Sequence, residues 1–146
     1  MRIAAIISAG LATLALLGAA GASAAPSRAS VSALVEGLDA HTTALSADRF
    51  ALAAGPLLGE TDGAVEQLPV RLWAGQDYVF AGAPDAACNT LNLRVIDPNG
   101  MVLAEAAGPA PRLHVRPLMT GRHIIEAATA NRRAQTCWFA VNVYAR

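Results

Sequence analysis

The chain has 146 residues, and its 11 basic side chains balance its 11 acidic ones. This neutrality argues against a general nucleic-acid binder, which needs a strongly basic surface. All the basic residues are arginines, and the lack of lysine excludes an amine nucleophile or a Schiff base.

The N-terminus has the pattern of a secretory signal peptide. Met1 and Arg2 precede an apolar run that continues to about Ala20, and small residues before Pro26 supply a cleavage site. We predict a signal peptide over residues 1–25 and a periplasmic or extracellular protein. Because roughly 18 apolar residues could just span a bilayer, an uncleaved anchor is the alternative. After cleavage we expect one domain and no contact with a membrane.

Residues 26–56 are a predicted helical arm or linker. Apolar residues spaced three and four apart give one stripe of a helix over about 30–44, with Glu36, Asp39 and His41 off it. A second short helical stretch is predicted to begin at residues 46–48 and to end at Gly55 and Pro56. The pattern leaves open whether the arm packs on the next domain. The stripe consists of Val31, Leu34, Val35, Leu38 and Leu45.

Residues 57–146 have the pattern of an all-β sandwich or barrel. Short apolar alternations separated by turn residues recur about every 10 to 15 residues. The clearest alternation, at residues 91–95, leads into the turn sequence Asp-Pro-Asn-Gly at 97–100. We predict strands at 67–73, 76–82, 91–96, 101–106, 112–116, 123–127 and 137–144.

The same alternation assigns side chains to the two faces of each strand, because successive side chains point in opposite directions. The predicted outward set includes Arg71, Arg94, His114, Arg116 and Asn142. The predicted inward set is Val70, Leu72, Tyr78, Phe80, Leu91, Leu93, Val95, Val102, Leu113, Val115, Ile125, Phe139, Val141 and Val143.

Cys88 and Cys137 are the two cysteines of the chain, and both follow the predicted leader. In an oxidising compartment two cysteines most simply form one disulfide. It would close a loop of about 50 residues, which the chain-entropy model values at about 4 kcal/mol. The alternative is a free catalytic thiol, which export disfavours.

Four segments follow one another along the predicted sandwich: LWAGQDY at 72–78, GAPDAAC at 82–88, LNLRVIDPNG at 91–100 and TGRH at 120–123. Together they resemble the bacterial pre-peptidase C-terminal domain, over about residues 57–144. The resemblance implies a jelly-roll-like antiparallel β-sandwich of about 7–8 strands. Such domains are found behind exported peptidases or as stand-alone envelope proteins.

The chain departs from that family pattern at several positions. Pro84 stands where a first cysteine is usual, residues 90–93 replace Asp-Leu-Asp-Leu, and His123 replaces a tyrosine. Residues 131–133, Asn-Arg-Arg, stand where a further cysteine is usual. The resemblance therefore implies that one bridge has lost both ends, which fits the other, Cys88 to Cys137, being intact.

Motifs for nucleophilic catalysis or zinc binding are missing. No Gly-x-Ser-x-Gly elbow occurs, and the three histidines are spread over three predicted elements. We predict no catalytic residue and expect His123 to be packed on its strand. The serines after the leader all precede the predicted sandwich; they are Ser27, Ser30, Ser32 and Ser46.

Calcium is the best metal candidate, although no cofactor is required by the sequence. Asp85, Asn92 and Asp97 gather around one predicted strand, and calcium accepts carboxylate, amide and carbonyl oxygens. Turn and strand-end roles explain the same three residues.

Five arginines in the C-terminal third suggest a binding face for an anionic envelope component, because guanidinium groups match phosphate and carboxylate. The alternative is a set of solvated loop and edge charges. Trp73 and Trp138 could line a sugar-binding face or form part of the core. The arginines are Arg112, Arg116, Arg122, Arg132 and Arg133.

These patterns favour a non-enzymatic exported β-sandwich module with a binding or accessory role. Its partner would be a protein or a polymer of the envelope. The alternatives are a protein that binds and restrains an exported peptidase, and a small hydrolase that works through paired carboxylates.

Overall fold

The computed structural model describes residues 25–132 and 136–146 and confirms the predicted all-β sandwich. A helix precedes eight strands, which form two four-stranded sheets. All seven predicted strands are present, with different ends, as β2 to β8. The elements are α1 (Arg28–Ala47), β1 (Ala51–Thr61), β2 (Glu66–Leu72), β3 (Tyr78–Pro84), β4 (Cys88–Ile96), β5 (Val102–Gly108), β6 (Arg112–Val115), β7 (Gly121–Arg132) and β8 (Cys137–Ala145).

The strand order is that of a jelly roll. The first sheet has the order β1-β8-β3-β6 and the second sheet β2-β7-β4-β5, with antiparallel pairing throughout. From β1 to β8 each connection crosses between the sheets except the turn from β4 to β5. This confirms the predicted jelly-roll-like sandwich.

The main core lies between the two sheets and contains the predicted inward side chains with one exception. The predicted inward position of Val102 is wrong, because its side chain is 38% exposed at the start of β5. The register shifts beside Val95, so Val102 pairs with Ile96, and cross-strand partners share a face. Val70 is half-buried against the core. The fully enclosed members include Leu72, Phe80, Leu91, Leu93, Val95, Ile125, Phe139 and Val141.

Helix α1 packs across the outer face of the first sheet, which settles whether the arm packs or forms a linker. Its first half contacts Ala83 and Ala140, and its last turn contacts Val79 and Tyr144. The approach requires a glycine, because a Cβ at Gly37 would lie 2.7 Å from the Cβ of Ala83. The sandwich therefore has one covered outer face, and the helix contributes Leu34, Leu38, His41 and Leu45 to it.

The predicted second helical stretch is wrong. The helix ends at Ala47, where Asp48 is the C-cap and Arg49 has a φ of 62°, and β1 begins at Ala51. This segment pairs with β8 from Ala51 opposite Ala145 to Thr61 opposite Cys137. The ladder of hydrogen bonds to a neighbouring strand outweighs the local signal, and the sandwich starts at 51 rather than 57.

The predicted disulfide between Cys88 and Cys137 is present, with a Cα to Cα distance of 5.9 Å. It joins the start of β4 in the second sheet to the start of β8 in the first. We call this the disulfide end; β3 finishes there with Pro84.

The predicted signal peptide lies almost entirely outside the described residues. Within residues 25–132 and 136–146, none of the helical structure is long and apolar enough to cross a bilayer.

Candidate functional site

Asp85 and the two cysteines lie together at the disulfide end. Their ligand-type atoms are within 4.8 Å of one another, and all three residues are buried. The sulfur atoms, however, are bonded to each other, and the Asp85 carboxylate accepts hydrogen bonds from the backbone N–H groups of Ala87 (3.0 Å) and Trp138 (3.3 Å). Asp85 therefore holds the turn before β4 against β8.

The three calcium candidates are not brought together. Asp85 precedes β4 and Asp97 follows it, so about nine residues of extended chain, or roughly 30 Å, separate them. Asn92 lies exposed in the middle of that strand. The Asp97 carboxylate accepts hydrogen bonds from the N–H groups of Asn99 (2.9 Å) and Met101 (2.8 Å). The prediction of one ligand set is wrong because it placed both ends of a strand in one site.

The predicted arginine face is also divided. Arg112 belongs to β6, and Arg116 follows it and pairs with Asp77 at 3.8 Å, both in the first sheet. Arg122 lies on β7 of the second sheet. Arg132 ends β7, and Arg133 lies outside the described residues, so the side chains of these two are not placed.

His41 lies on the face of α1 that packs against the sheet, and both of its ring nitrogens form hydrogen bonds. Nε2 donates a hydrogen bond to the carbonyl of Gly82 (3.1 Å), and Nδ1 accepts one from Nε of Arg112 (2.7 Å). Burial lowers the pKa of His41 from its usual 6.5; the bond to Gly82 opposes this, and the Arg112 charge lowers the pKa further. His41 was predicted to lie off the helix stripe, although it continues the spacing from Leu34 and Leu38.

A second polar chain crosses between the helix and β8. Thr42 donates its hydroxyl hydrogen to the carbonyl of Leu38 (3.0 Å), so Tyr144 donates to Thr42 (2.8 Å) and accepts from Asn142 (3.1 Å). Asn142 does face away from the core, as predicted, but α1 covers it. These bonds fix the helix on the sheet.

His123 and Trp138 have packing roles. His123, predicted to be packed or half-buried on its strand, is fully buried, and Nδ1 lies 3.1 Å from the carbonyl of Gly121. Trp138 is half-buried against the cluster of Leu34 and Leu38. The structure therefore supports the core interpretation for Trp138, whereas Trp73 is 53% exposed.

The outer face of the second sheet is open and carries charges. Arg94 lies 3.5 Å from Glu126 and 3.7 Å from Glu105, and Gln67 donates to Glu126 at 3.1 Å. Arg71 and Arg122 lie directly opposite each other on β2 and β7.

The turn between β1 and β2 forms an acidic recess of about 320 Å³ that the sequence analysis did not identify. Glu60, Asp62 and Glu66 line it, and Asp62 accepts a hydrogen bond from the N–H of Ala64. The signal in the sequence was the close spacing of the three acids. The bond from Ala64 to Asp62, with the bonds of the Thr61 hydroxyl to Gly63 and Ala64, fits a turn that is held by its own side chains.

Three loops meet at the end opposite the disulfide and bond to one another. We call residues 73–77, 97–101 and 116–120 the loop tip. Gly75 donates to the carbonyl of Pro117 (2.8 Å), and Ala74 to the hydroxyl of Thr120 (2.9 Å). The amide of Asn99 lies 3.5 Å from the sulfur of Met119. The loops therefore form one connected surface.

Large apolar side chains are exposed on each loop of the tip. Leu118 is 90% exposed, Met101 65% and Trp73 53%. Such groups are normally scattered singly, so their accumulation on bonded loops makes the loop tip a candidate contact surface. Of these three residues only Trp73 was a candidate from the sequence, because separated loop residues show no pattern until the fold brings them together.

Positive charge borders the loop tip. Neither Arg71 nor Arg122 forms an ion pair within residues 25–132 and 136–146, and the Arg71 guanidinium lies 5.9 Å from the Trp73 ring centroid. The nearby Asp77 carboxylate is compensated by Arg116 and Arg146, at 3.8 and 3.9 Å.

A scan against protein-family models gives no match, and no curated protein matches the chain. The resemblance to the pre-peptidase C-terminal domain stays a prediction.

Proposed function

We propose that the chain is a non-enzymatic exported β-sandwich module that binds a component of the periplasm or cell exterior through its loop tip. The observation that carries this proposal is the exposure of Trp73, Met101 and Leu118 on three loops that bond to one another. An apolar surface of this kind loses contact with water when a partner covers it.

The contacts of the polar candidates support a role without catalysis. Asp85 and Asp97 use their carboxylates to hold backbone N–H groups, and both ring nitrogens of His41 are bonded beneath the helix. A general acid or base must instead reach a substrate from a cleft.

The disulfide supports export, because such bonds persist in oxidising compartments. The leader sequence supports the same conclusion independently.

Photo-crosslinking in intact cells tests the proposal. We would place p-benzoylphenylalanine at Leu118 of the full chain and, as a control, at Leu58. Leu58 is 54% exposed on β1, away from the loop tip. We expect an adduct with an envelope component from position 118 but not from position 58. Equal labelling at both positions, or none at 118, contradicts binding through the tip.

The identity of the adduct separates the alternatives. An exported peptidase as the adduct would favour a protein that restrains such an enzyme. Hydrolysis of an envelope polymer by the purified chain, abolished in Glu66→Gln, would instead favour a carboxylate hydrolase.

A further inference from the structure

We infer that the partner of the loop tip is the surface of a bilayer that contains anionic phospholipids. This inference rests on the proposed function, because it names the partner of the same surface. It differs from the expectation, drawn from the sequence, that the cleaved chain has no contact with a membrane.

The first argument is the arrangement of apolar and cationic groups. Met101 and Leu118 lie on the loops, while Arg71 and Arg122 lie on the adjoining ends of β2 and β7. With the tip directed at a bilayer, the aliphatic side chains enter the acyl boundary and the guanidinium groups remain at the level of the phosphates. Trp73, beside Arg71, takes the interfacial position that tryptophan prefers.

The second argument is charge complementarity. The strand ends and loops here carry Arg49, Arg71, Arg116, Arg122 and Arg146 against Asp48, Asp77 and Asp97. Since Asp77 is paired with two of these arginines, Arg71 and Arg122 remain available to lipid phosphates, which guanidinium groups bind well.

The third argument is that the loop backbone is already bonded. The N–H groups of Trp73, Ala74 and Gly75 donate to the Tyr78 hydroxyl, the Thr120 hydroxyl and the Pro117 carbonyl.

The turn before β5 is satisfied in the same way. The N–H groups of Asn99 and Met101 donate to the Asp97 carboxylate, and that of Gly100 donates to the Asp97 carbonyl. The hydrocarbon region of a bilayer offers no hydrogen-bond partners, so a loop that enters it must satisfy its own backbone. This favours lipid over a protein that would bind the loop backbone.

Vesicle cosedimentation tests the inference. The probes are phosphatidylcholine vesicles and vesicles of phosphatidylcholine mixed with phosphatidylglycerol. The protein is purified from the exported fraction, and its N-terminal residue is identified by mass spectrometry. We expect binding to the mixed vesicles, weak binding to phosphatidylcholine alone, and loss of binding at high salt.

Paired substitutions assign the binding to the tip. Leu118→Ser should lower the affinity for mixed vesicles about tenfold, while Leu58→Ser leaves it unchanged. Arg71→Gln and Arg122→Gln should each lower it about fivefold, while Arg28→Gln, at the other end of the molecule, has no such effect. Leu118 and Leu58 are both solvent-exposed, so these serine variants keep the fold.

Equal binding to both kinds of vesicle, or binding that Leu118→Ser leaves intact, overturns the inference. If position 118 crosslinks to a protein while the chain fails to sediment with mixed vesicles, the lipid inference fails and the proposed function stands. If neither experiment gives a signal that depends on Leu118, both fail.

Discussion

The two outer faces of the sandwich have opposite chemistry. The first sheet presents small and apolar side chains, including Val79, Ala81 and Ala83, and α1 covers them. The second sheet presents Arg94 and Glu105 to solvent. One jelly roll therefore supports both a sealed face that adds to stability and an open face whose charges contribute little to it.

Removal of the disulfide should cause the largest loss of stability, with which the effects on the two faces can be compared. Replacing Cys88 and Cys137 together by alanine should lower the free energy of unfolding by about 4 kcal/mol, because the bridge restricts a long loop of the unfolded chain. Urea denaturation followed by circular dichroism measures the change. A loss below about 1 kcal/mol would show that the sheets hold together without the bridge.

Truncation of a buried side chain on the covered face should have the next largest effect on the free energy of unfolding. Leu38→Ala should lower the free energy of unfolding by about 3 kcal/mol, since Leu38 is buried between α1 and the first sheet. The matched control is Val35→Ala on the exposed side of the same helix, for which we expect about 0.5 kcal/mol or less. Equal effects would mean that the helix is not docked in solution.

The polar contacts under the helix should make stability depend on pH. The folded-state pKa of His41 is lowered, so neutral His41 stabilises the fold. That contribution is complete above about pH 6.5 and is lost as pH falls from there through the lower folded-state pKa. Protonation would place an N–H on Nδ1 facing Nε of Arg112.

His41→Gln provides the comparison for that titration, because the amide can donate and accept but does not titrate. Stability measured at a series of pH values should fall more steeply below pH 6.5 in the natural chain than in the variant. Parallel curves would assign the pH dependence to other groups.

The smallest effect is expected on the open face. Arg94→Gln should lower the free energy of unfolding by about 0.5 kcal/mol, because the Arg94 side chain is half-exposed and its partner Glu105 is exposed, so solvent weakens its ion pairs. The difference should shrink at high salt, which screens exposed pairs. A loss comparable to that of Leu38→Ala would contradict the division between the two faces.

Much of the sandwich could be predicted because its strands carry their own signal. Alternation and the turn at 97–100 located β4 and β5, and similar patterns located the other five predicted strands. The segment that forms β1 lacks alternation and contains Gly55 and Pro56, so only its pairing with β8 makes it a strand.

The packing of α1 on the first sheet had a weaker signal in the sequence. In β3 the apolar residues Val79 and Ala81 alternate with the inward-facing Tyr78 and Phe80, and the strand is buried from Tyr78 to Ala83. A continuous apolar run indicates a strand covered on both faces. Leu34 and Leu38 belong both to the predicted apolar stripe and to the face of α1 that packs on the sheet. That packed face continues through His41.

The candidate site was the least predictable part. Arg122 was identified as a binding candidate, but grouping it with Arg112 ignored the assignment of β6 and β7 to different sheets. Trp73, Met101 and Leu118 are separated by 28 and 17 positions in the sequence, and only the packing of the two sheets brings their loops together.

The direction of α1 has a consequence for the unprocessed chain. The helix starts at the disulfide end and rises about 30 Å toward the loop tip. If the predicted leader holds the uncleaved chain in a membrane, the point of attachment lies at the disulfide end, and Leu118 is held well away from that lipid surface. Proteolytic release would then be the event that lets the molecule turn over and present its tip.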